Sequence, residues 1–286
     1  MKVLVTGSSG FLGSVFLDFL KKKNISYIKY DRSNPKKLAS GFDSVVNFGG
    51  FTPYSNVKDG ALSPEIFHSA NVDGTKLLLK TIIKNKNLKR FINIGSSAEY
   101  GFSKRLFREG AEKKPKGPYG KSKLEQSILV EKFAKEKRVK VINLCLFNVA
   151  GLPKRIKSKE GLVNNPSVFE SLINQFVINF NGRIIISNKN DIRDYVDIGD
   201  IMEAILRALK TKKGKMYEMI NICSGKGTKL EDVVNLFGKV LNKEYKIYPL
   251  NVKEASCSVG VNDKARRILN WKPKISLEES VRKMIW

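Results

Sequence analysis

Apolar and polar positions alternate along the first half of the chain in a way that predicts short strands separated by helices. Apolar runs that end in glycine or polar residues, as buried strands do, occupy 3–6, 26–31, 43–48, 90–95 and 139–147. Apolar residues recur at helical spacing over 11–23, 66–84 and 119–136. Strands that alternate with helices predict βαβ units, and therefore a doubly wound parallel α/β sheet with right-handed crossovers.

The pattern changes after Gly151. A basic loop at 153–161 is followed by helical patterns at 167–180, 198–209, 230–241 and 277–285, and by strand patterns at 183–187, 218–223 and 245–249. This half predicts a smaller α/β C-terminal lobe over the carboxyl edge of the sheet, where open α/β sheets bind ligands. We expect 1–150, with returning segments near 191–225, to bind a nucleotide. We expect 151–190 and 226–286 to form the substrate-binding lobe.

Three glycines lie between the first strand and the first helix. Gly7, Gly10 and Gly13 allow a tight turn, a close approach of the backbone to a pyrophosphate, and close packing of helix on strand. The free N–H groups at the helix N-terminus then face the phosphates. This context predicts a Rossmann-type domain in which Phe11 and Leu12 also contact the dinucleotide.

An acidic residue follows the second strand. Asp31 lies 18 residues after Gly13, close to where such folds place an acid that holds the ribose hydroxyls, and this favours NAD. Arg32 comes next and could accept a 2′-phosphate, so NADP is the alternative cofactor.

Tyr119 and Lys123 are four residues apart at the start of a predicted helix and therefore share one face. A tyrosine is a weak base at neutral pH, but a nearby ammonium stabilises its phenolate and lowers its pKa. The tyrosine can then exchange a proton with a hydroxyl while a hydride moves to or from a nicotinamide. Ser97 follows the strand at 90–95 and could hold the same oxygen by a hydrogen bond.

The net charge of +26 arises from 53 Lys and Arg against 27 Asp and Glu. The lysines are spread along the whole chain and are not interleaved with aromatic residues, which favours a basic surface over a nucleic-acid platform. Such a surface attracts a pyrophosphate-bearing substrate. We therefore expect no nucleic-acid partner.

Neither the cysteines nor the hydrophobic segments indicate a disulfide-rich, metal-binding, membrane or secreted protein. Three separated cysteines and one histidine, His68, favour neither a disulfide framework nor a metal site. Apolar runs fall short of the ~20 residues that cross a bilayer, and the N-terminus lacks the pattern of a signal peptide. We expect a cytoplasmic protein without a membrane partner.

Five segments carry a resemblance that extends over nearly the whole chain: TGSSGFLG from Thr6, GSSAEYG from Gly95, YGKSK from Tyr119, RDYVDIGD from Arg193 and NICSG from Asn221. Together they resemble the extended short-chain dehydrogenase/reductase family of the NAD-dependent epimerase/dehydratase type. The resemblance implies an enzyme that acts on a nucleotide-linked sugar and pairs two of its helices into a homodimer.

The resemblance also implies roles for individual residues. Ser97, Tyr119 and Lys123 would be catalytic, with Lys123 also holding the nicotinamide ribose. The remaining expected contacts are Asn71, Phe48, Gly49, Gly50 and Ile94 at the cofactor, and Asn148 and Arg193, beside Ser97, at the substrate. An arginine suits the substrate pyrophosphate because it donates two parallel hydrogen bonds.

The segments GSSAEYG and NICSGKGT look most like those of GDP-4-keto-6-deoxymannose reductases. They favour a 4-ketoreductase of a nucleotide-linked 6-deoxy-4-keto sugar. A 4-epimerase is the alternative, as is a 4,6-dehydratase in which Glu99 would remove a C5 proton. A non-catalytic nucleotide- or nucleic-acid-binding protein is a more distant alternative. Only eleven residues separate Asp31 from Asp43, fewer than the family usually places beside the adenine.

Overall fold

The computed structural model describes residues 1–34, 41–53, 63–152, 167–250 and 255–286. Its main sheet has six parallel strands in the order β2-β1-β3-β4-β5-β9. These strands are β1 (Lys2–Thr6), β2 (Ser26–Lys29), β3 (Ser44–Asn47), β4 (Arg90–Ser96), β5 (Lys140–Leu146) and β9 (Tyr217–Ile222). The predicted doubly wound parallel sheet is confirmed, while the predicted basic loop at 153–161 lies outside the described residues.

The helices follow the predicted order. They are α1 (Phe11–Lys22), α2 (Pro64–Phe67), α3 (Gly74–Ile82), α4 (Gly117–Lys137), α5 (Val168–Ile173), α6 (Ile198–Lys210), α7 (Leu230–Leu241), α8 (Asp263–Leu269) and α9 (Leu277–Ile285). Helix α8 was not predicted from the sequence. Its short segment contains four charged residues and buries Ala265, Ile268 and Leu269, too few apolar positions for a clear helical stripe.

The helix predicted over 66–84 is divided in the structure. A π-helical turn, His68–Asp73, joins α2 to α3. Such turns insert an extra residue into a helix and often lie at functional sites. Here the turn buries Asn71 completely. A second π-helical turn, Asn174–Ile178, similarly follows α5 within the predicted helix at 167–180.

Short strands build the smaller lobe. Strand β8 (Ile192–Asp197) lies between β10 (Gly227–Lys229) and β12 (Cys257–Ser258), and it also pairs with β6 (Asn148–Ala150). A separate pair joins β7 (Arg183–Ile186) to β11 (Lys246–Pro249). Strands β6, β8, β10 and β12 were not predicted from the sequence, since three of them have only two or three residues and β8 carries charged side chains.

Two apolar layers cover the main sheet because side chains on a strand alternate between its faces. Val3 and Val5 of β1 pack in the layer that contains α1 and α6. Leu4 faces the opposite layer, which contains α3 and α4. The layers fix both helices that bear predicted site residues, α1 and α4, against the same sheet.

Candidate active site

The glycine loop after β1 has no room for a side chain at Gly7 or Gly13. A Cβ on Gly13 would lie 2.1 Å from the carbonyl oxygen of Gly7, and Gly7 itself has a φ of +59°. Gly10, whose N–H donates to the Gly7 oxygen at 3.0 Å, is the N-cap residue of α1 and provides no side-chain cap. The first-turn N–H groups of a helix have no partner within the helix and fit a phosphate. The loop therefore fits the pyrophosphate of a dinucleotide.

Asp31 lies just beyond the carboxyl end of β2. Its Oδ1 accepts hydrogen bonds from the backbone N–H of Ser33 at 2.9 Å and from the Ser33 hydroxyl at 2.6 Å. These bonds lower the pKa of Asp31. Arg32 instead donates to the carbonyl oxygen of Ser69 at 3.2 Å. The carboxylate is thus held ionised beside the glycine loop, while the guanidinium contacts the π-helical turn.

Asn71 joins the segment after β3 to the start of α4. Its Oδ1 accepts from the N–H of Phe51 at 2.8 Å, and its Nδ2 donates to the Phe51 oxygen and, at 2.8 Å, to the hydroxyl of Ser122. Gly50 is required beside it, because a Cβ there would lie 2.2 Å from Oδ1 of Asn71. The N–H of Gly49 in turn donates to Oγ1 of Thr6 at 2.9 Å. These hydrogen bonds fix the backbone conformation of the segment that contains the predicted cofactor residues Phe48, Gly49 and Gly50.

Helix α4 brings Tyr119 beside the end of β4. A Cβ on Gly120 would lie 2.6 Å from the carbonyl oxygen of Ala98, so glycine allows α4 to approach the 3₁₀ turn formed by Ser97–Glu99. The Tyr119 ring packs against Phe67 with centroids 5.7 Å apart. The hydroxyl of Ser122 donates to the Tyr119 carbonyl oxygen at 2.8 Å. The first turn of α4 is therefore anchored on both sides of the tyrosine.

The ammonium of Lys123 is buried and hydrogen-bonded. It donates to the carbonyl oxygen of Ile94 at 2.6 Å and to Oε1 of Gln126. Burial lowers the pKa of Lys123 to about 8, opposed by the nearby Glu99 carboxylate. An ammonium has three N–H donors, so these two acceptors leave one donor for a ribose hydroxyl or a phenolate.

Gln126 was not predicted as a site residue. It is fully buried, and its Nε2 donates to Oγ1 of Thr75 at 2.8 Å and to the carbonyl oxygen of Asn71 at 3.1 Å. Gln126 therefore connects the Lys123 ammonium to the π-helical turn. A polar residue three positions after Lys123, on the same helix face, was the only sequence signal for it.

A row of buried polar side chains crosses four strands on the α4 side of the sheet. Thr6 donates to Asn47 at 2.6 Å, Asn47 to Asn93 at 3.0 Å, and Asn93 to Asn143 at 2.9 Å. These four residues are paired in register. Asn143 then donates to Ser127 of α4 at 2.8 Å. A satisfied buried network of this kind rigidifies its surroundings, so it fixes the strand before the glycine loop relative to the helix that carries Lys123.

The two serines after β4 have different environments. The hydroxyl of Ser96 accepts the N–H of Ala98 and caps the 3₁₀ turn. Ser97, the predicted catalytic serine, is partly exposed and is followed by the buried Glu99. The Glu99 carboxylate accepts from the N–H of Ser96 at 3.1 Å and pairs with Nζ of Lys113 at 3.0 Å. The Glu99 carboxylate therefore binds the backbone of Ser96 and the side chain of Lys113.

The predicted substrate residues lie where the smaller lobe meets the sheet. Asn148 of β6 donates to the Asp194 carbonyl oxygen at 3.4 Å. Arg193 donates to the carbonyl oxygen of Ser256 at 2.8 Å and to its hydroxyl at 2.7 Å, and its guanidinium lies 5.0 Å from the Phe102 ring centroid. Strand β6 pairs with β8 in register, which places Asn148 opposite Tyr195, two residues after Arg193.

His68 lies between two carboxylates at the surface. Its ring nitrogens lie 3.3 Å from Asp73 and 3.5 Å from Glu125. Among the described residues, no cluster of three or more His, Cys, Asp or Glu side chains could hold a metal ion. Within the same residues, no helix has the length and apolar character needed to span a bilayer.

The model of the NAD dependent epimerase/dehydratase family matches residues 3–223. The chain belongs to this family. This confirms the predicted family, the α/β fold and an NAD-dependent enzyme.

Similar proteins include a "UDP-glucose 4-epimerase" of Streptomyces lividans, 25% identical over 95% of this chain and 91% of that protein. Another of the same name, from Lactobacillus helveticus, is 26% identical over 100% of this chain and 96% of that protein. Among solved structures, a UDP-glucuronic acid 4-epimerase from Bacillus cereus, in complex with UDP-glucuronic acid and NAD, has a TM-score of 0.84. It is 24% identical, with 99% of this chain and 98% of that chain covered.

The structure of RMD from Pseudomonas aeruginosa, complexed with NADPH, also has a TM-score of 0.84. It is 23% identical, with 99% of this chain and 97% of that chain covered. These structural likenesses show the fold. The two relatives in sequence are both named epimerases, so they favour the epimerase alternative over the predicted ketoreductase.

Proposed function

We propose that the protein is an NAD-dependent 4-epimerase of a UDP-linked hexose or hexuronic acid. The observation that carries the proposal is the buried Lys123 ammonium, held by Ile94 and Gln126 one helical turn after Tyr119. The names of the relatives supply the substrate class and the reaction.

Tyr119 is proposed to exchange a proton with the 4-hydroxyl of the sugar. The Lys123 ammonium stabilises the phenolate, and the Ser97 hydroxyl holds the sugar oxygen. NAD, when bound, would supply the hydride acceptor and donor for C4 of the sugar. Asp31 and the glycine loop hold its adenosine and pyrophosphate portions, and Asp31 favours NAD over NADP.

The position of Glu99 argues against a dehydratase. A C5 base would need a carboxylate free to approach the sugar, within hydrogen-bond reach of the proton it removes. In this chain the Glu99 carboxylate is fully buried and binds Lys113 and the backbone of Ser96. We propose that Glu99 is a positioning residue that fixes the 3₁₀ turn carrying Ser97.

We further propose that 1–150 with 191–225 binds the dinucleotide and that 151–190 and 226–286 bind the sugar nucleotide, with Asn148 of β6 and Arg193 of β8 reaching the substrate where the two parts meet. Arg193 is proposed to contact the pyrophosphate and Asn148 the sugar. A cytoplasmic homodimer is proposed to pair α3 and α4 with their copies. Its support is the partial exposure of Leu77 (36%) and Ile128 (57%) on these two helices.

The reaction can be tested with purified protein and UDP-glucose, UDP-galactose or UDP-glucuronic acid, followed by chromatography of the sugars. An epimerase interconverts a 4-epimer pair without net formation of reduced nicotinamide. A reductase would instead consume added NADH or NADPH in proportion to a 4-keto 6-deoxy sugar and leave the UDP-sugars unchanged. That second result would reject the proposal.

A further inference from the structure

The edge of the main sheet opposite the candidate active site is strongly basic. Because the six strands are parallel, the segments that lead into them meet at one edge. Residues 1–2, 21–25, 41–43, 83–90, 135–140 and 210–216 contain sixteen Lys or Arg and two acids, Asp43 and Glu136. Roughly a tenth of the chain thus contributes +14 of the net charge of +26. We call these segments the basic edge.

Backbone contacts hold the basic edge together. Arg90 of β4 is paired in register with Lys140 of β5. Arg90 donates to the carbonyl oxygens of Ala208 and Thr211, while Nζ of Lys140 donates to those of Lys212 and Lys213. The segment 210–216 is thereby fixed across the starts of two neighbouring strands.

The side chains on this fixed segment point outward. Lys212, Lys213 and Lys215 are exposed, and burial together with the proximity of Arg90 lowers the pKa of Lys140 beneath them. Three exposed apolar side chains lie among the cations, Met1 (48% exposed), Ile83 (37% exposed) and Met216 (44% exposed). The edge therefore combines a dense positive charge with isolated exposed apolar groups.

We propose that the basic edge binds the surface of an anionic lipid bilayer, a partner that was not predicted from the sequence. Six neighbouring strands at a spacing of about 4.8 Å give an edge about 24 Å wide, and clustered lysines are attracted to anionic headgroups within a Debye length. Ile83 and Met216 can enter the headgroup region, whereas nucleic-acid phosphates would leave them without a partner. The only aromatic residue in these segments, Phe42, is buried, so the edge has no base-stacking platform.

This orientation keeps the proposed catalysis possible at the membrane. The carboxyl edge of the sheet, with Ser97 and Tyr119, faces away from the bilayer, so substrate enters from solution. The proposal stands independently of the proposed function, because it rests on the strand directions, the charges and the exposed apolar side chains of the basic edge.

The test is cosedimentation of the full chain with large vesicles of phosphatidylcholine, alone or with about 30% phosphatidylserine, at about 0.1 M salt. The edge variant is Lys212→Glu, Lys213→Glu and Lys215→Glu, which leaves the carbonyls bonded to Lys140 in place. The control variant, Lys229→Glu, Lys246→Glu and Lys272→Glu, changes three exposed lysines outside the basic edge and alters the net charge equally.

We expect binding to the anionic vesicles only, with a partition coefficient at least about tenfold lower for the edge variant and within about twofold for the control. Three results would overturn the proposal. They are no binding to anionic vesicles, equal losses in both variants, or tighter binding of a DNA duplex than of vesicles through the same lysines. The melting temperatures of both variants check that each remains folded.

Discussion

The Nζ atom of Lys123 donates a hydrogen bond to Oε1 of Gln126, and both side chains are buried beneath the proposed nicotinamide site. The amide group of Gln126 is at the same time held by Thr75 and by the backbone of Asn71. The ammonium therefore has a fixed neutral acceptor. We expect both its position and its protonation to depend on this amide.

We expect the alkaline limb of the pH–rate profile to report the protonation of Lys123. Burial lowers its pKa to about 8, so the charged form that stabilises the Tyr119 phenolate is present below this pH and is lost above it. Gln126→Glu places a carboxylate against the ammonium and should move the limb to higher pH, by about 1 to 3 pH units. Gln126→Met removes the acceptor and should move it to lower pH.

The measurement is kcat against pH, with Gln175→Glu in the smaller lobe as the matched control. A purely structural role for Gln126 predicts equal losses at every pH and no movement of the limb, which would contradict the assignment. Melting curves in the same buffers separate loss of fold from loss of protonation.

Tyr119→Phe removes the phenolic oxygen and keeps the ring that packs against Phe67. We expect kcat for sugar interconversion to fall about 10²- to 10⁴-fold, the usual contribution of a general acid–base group. The melting temperature and the affinity for NAD should change little. Tyr248→Phe, at an exposed site, is the control, and an active Tyr119→Phe enzyme would remove the basis of the proposed mechanism.

Much of the nucleotide-binding half could be predicted because its signals are local. The glycine loop, the alternation of strands and helices, and the spacing of Tyr119 and Lys123 each lie within one or two elements. Strand β8 was missed because Arg193 and Asp194 look unsuitable for a buried strand. Asp194 is in fact satisfied by Ser224, Gly225 and Gly260, which are distant in sequence, so tertiary partners override the local pattern.

The basic edge could not be predicted from the sequence, for a related reason. Along the sequence its lysines look evenly spread, as expected of a solvated surface. Only the parallel direction of all six strands gathers the segments at 21–25, 83–90, 135–140 and 210–216 on one side of the molecule. The roles of Gln126 and of the asparagine row, Asn47, Asn93 and Asn143, likewise require the strand register.

The choice of cofactor should depend on Asp31. Replacing it with serine removes the carboxylate that is proposed to hold the adenosine ribose, a loss of one or two charged hydrogen bonds. The Kd for NAD should rise about 10- to 100-fold, while the Kd for NADP changes less because a repulsive charge is lost as well. Calorimetric titration with both cofactors measures this.

Ser33→Ala is the control for that substitution, since it removes one bond to Asp31 and keeps the carboxylate. Equal effects of Asp31→Ser on NAD and NADP would mean that Asp31 does not contact the ribose. In that case the preference for NAD over NADP would have another origin. Arg32, which contacts the π-helical turn, would be the next residue to test.

Substitutions at the ion pair of Glu99 with Lys113 test whether Glu99 has a structural or a catalytic role. Lys113→Met would leave the fully buried Glu99 carboxylate without its cation, and we expect the free energy of unfolding to fall by about 3 kcal/mol. Adding Glu99→Gln to this variant should restore most of that loss, since the unpaired Glu99 carboxylate is then removed as well. Glu99→Gln alone should keep epimerase activity within about tenfold of the parent, because a neutral amide can still accept from Ser96. Denaturant unfolding and product chromatography measure the two effects. A folded Glu99→Gln enzyme that loses activity by about 10³-fold or more would instead assign the carboxylate to proton removal.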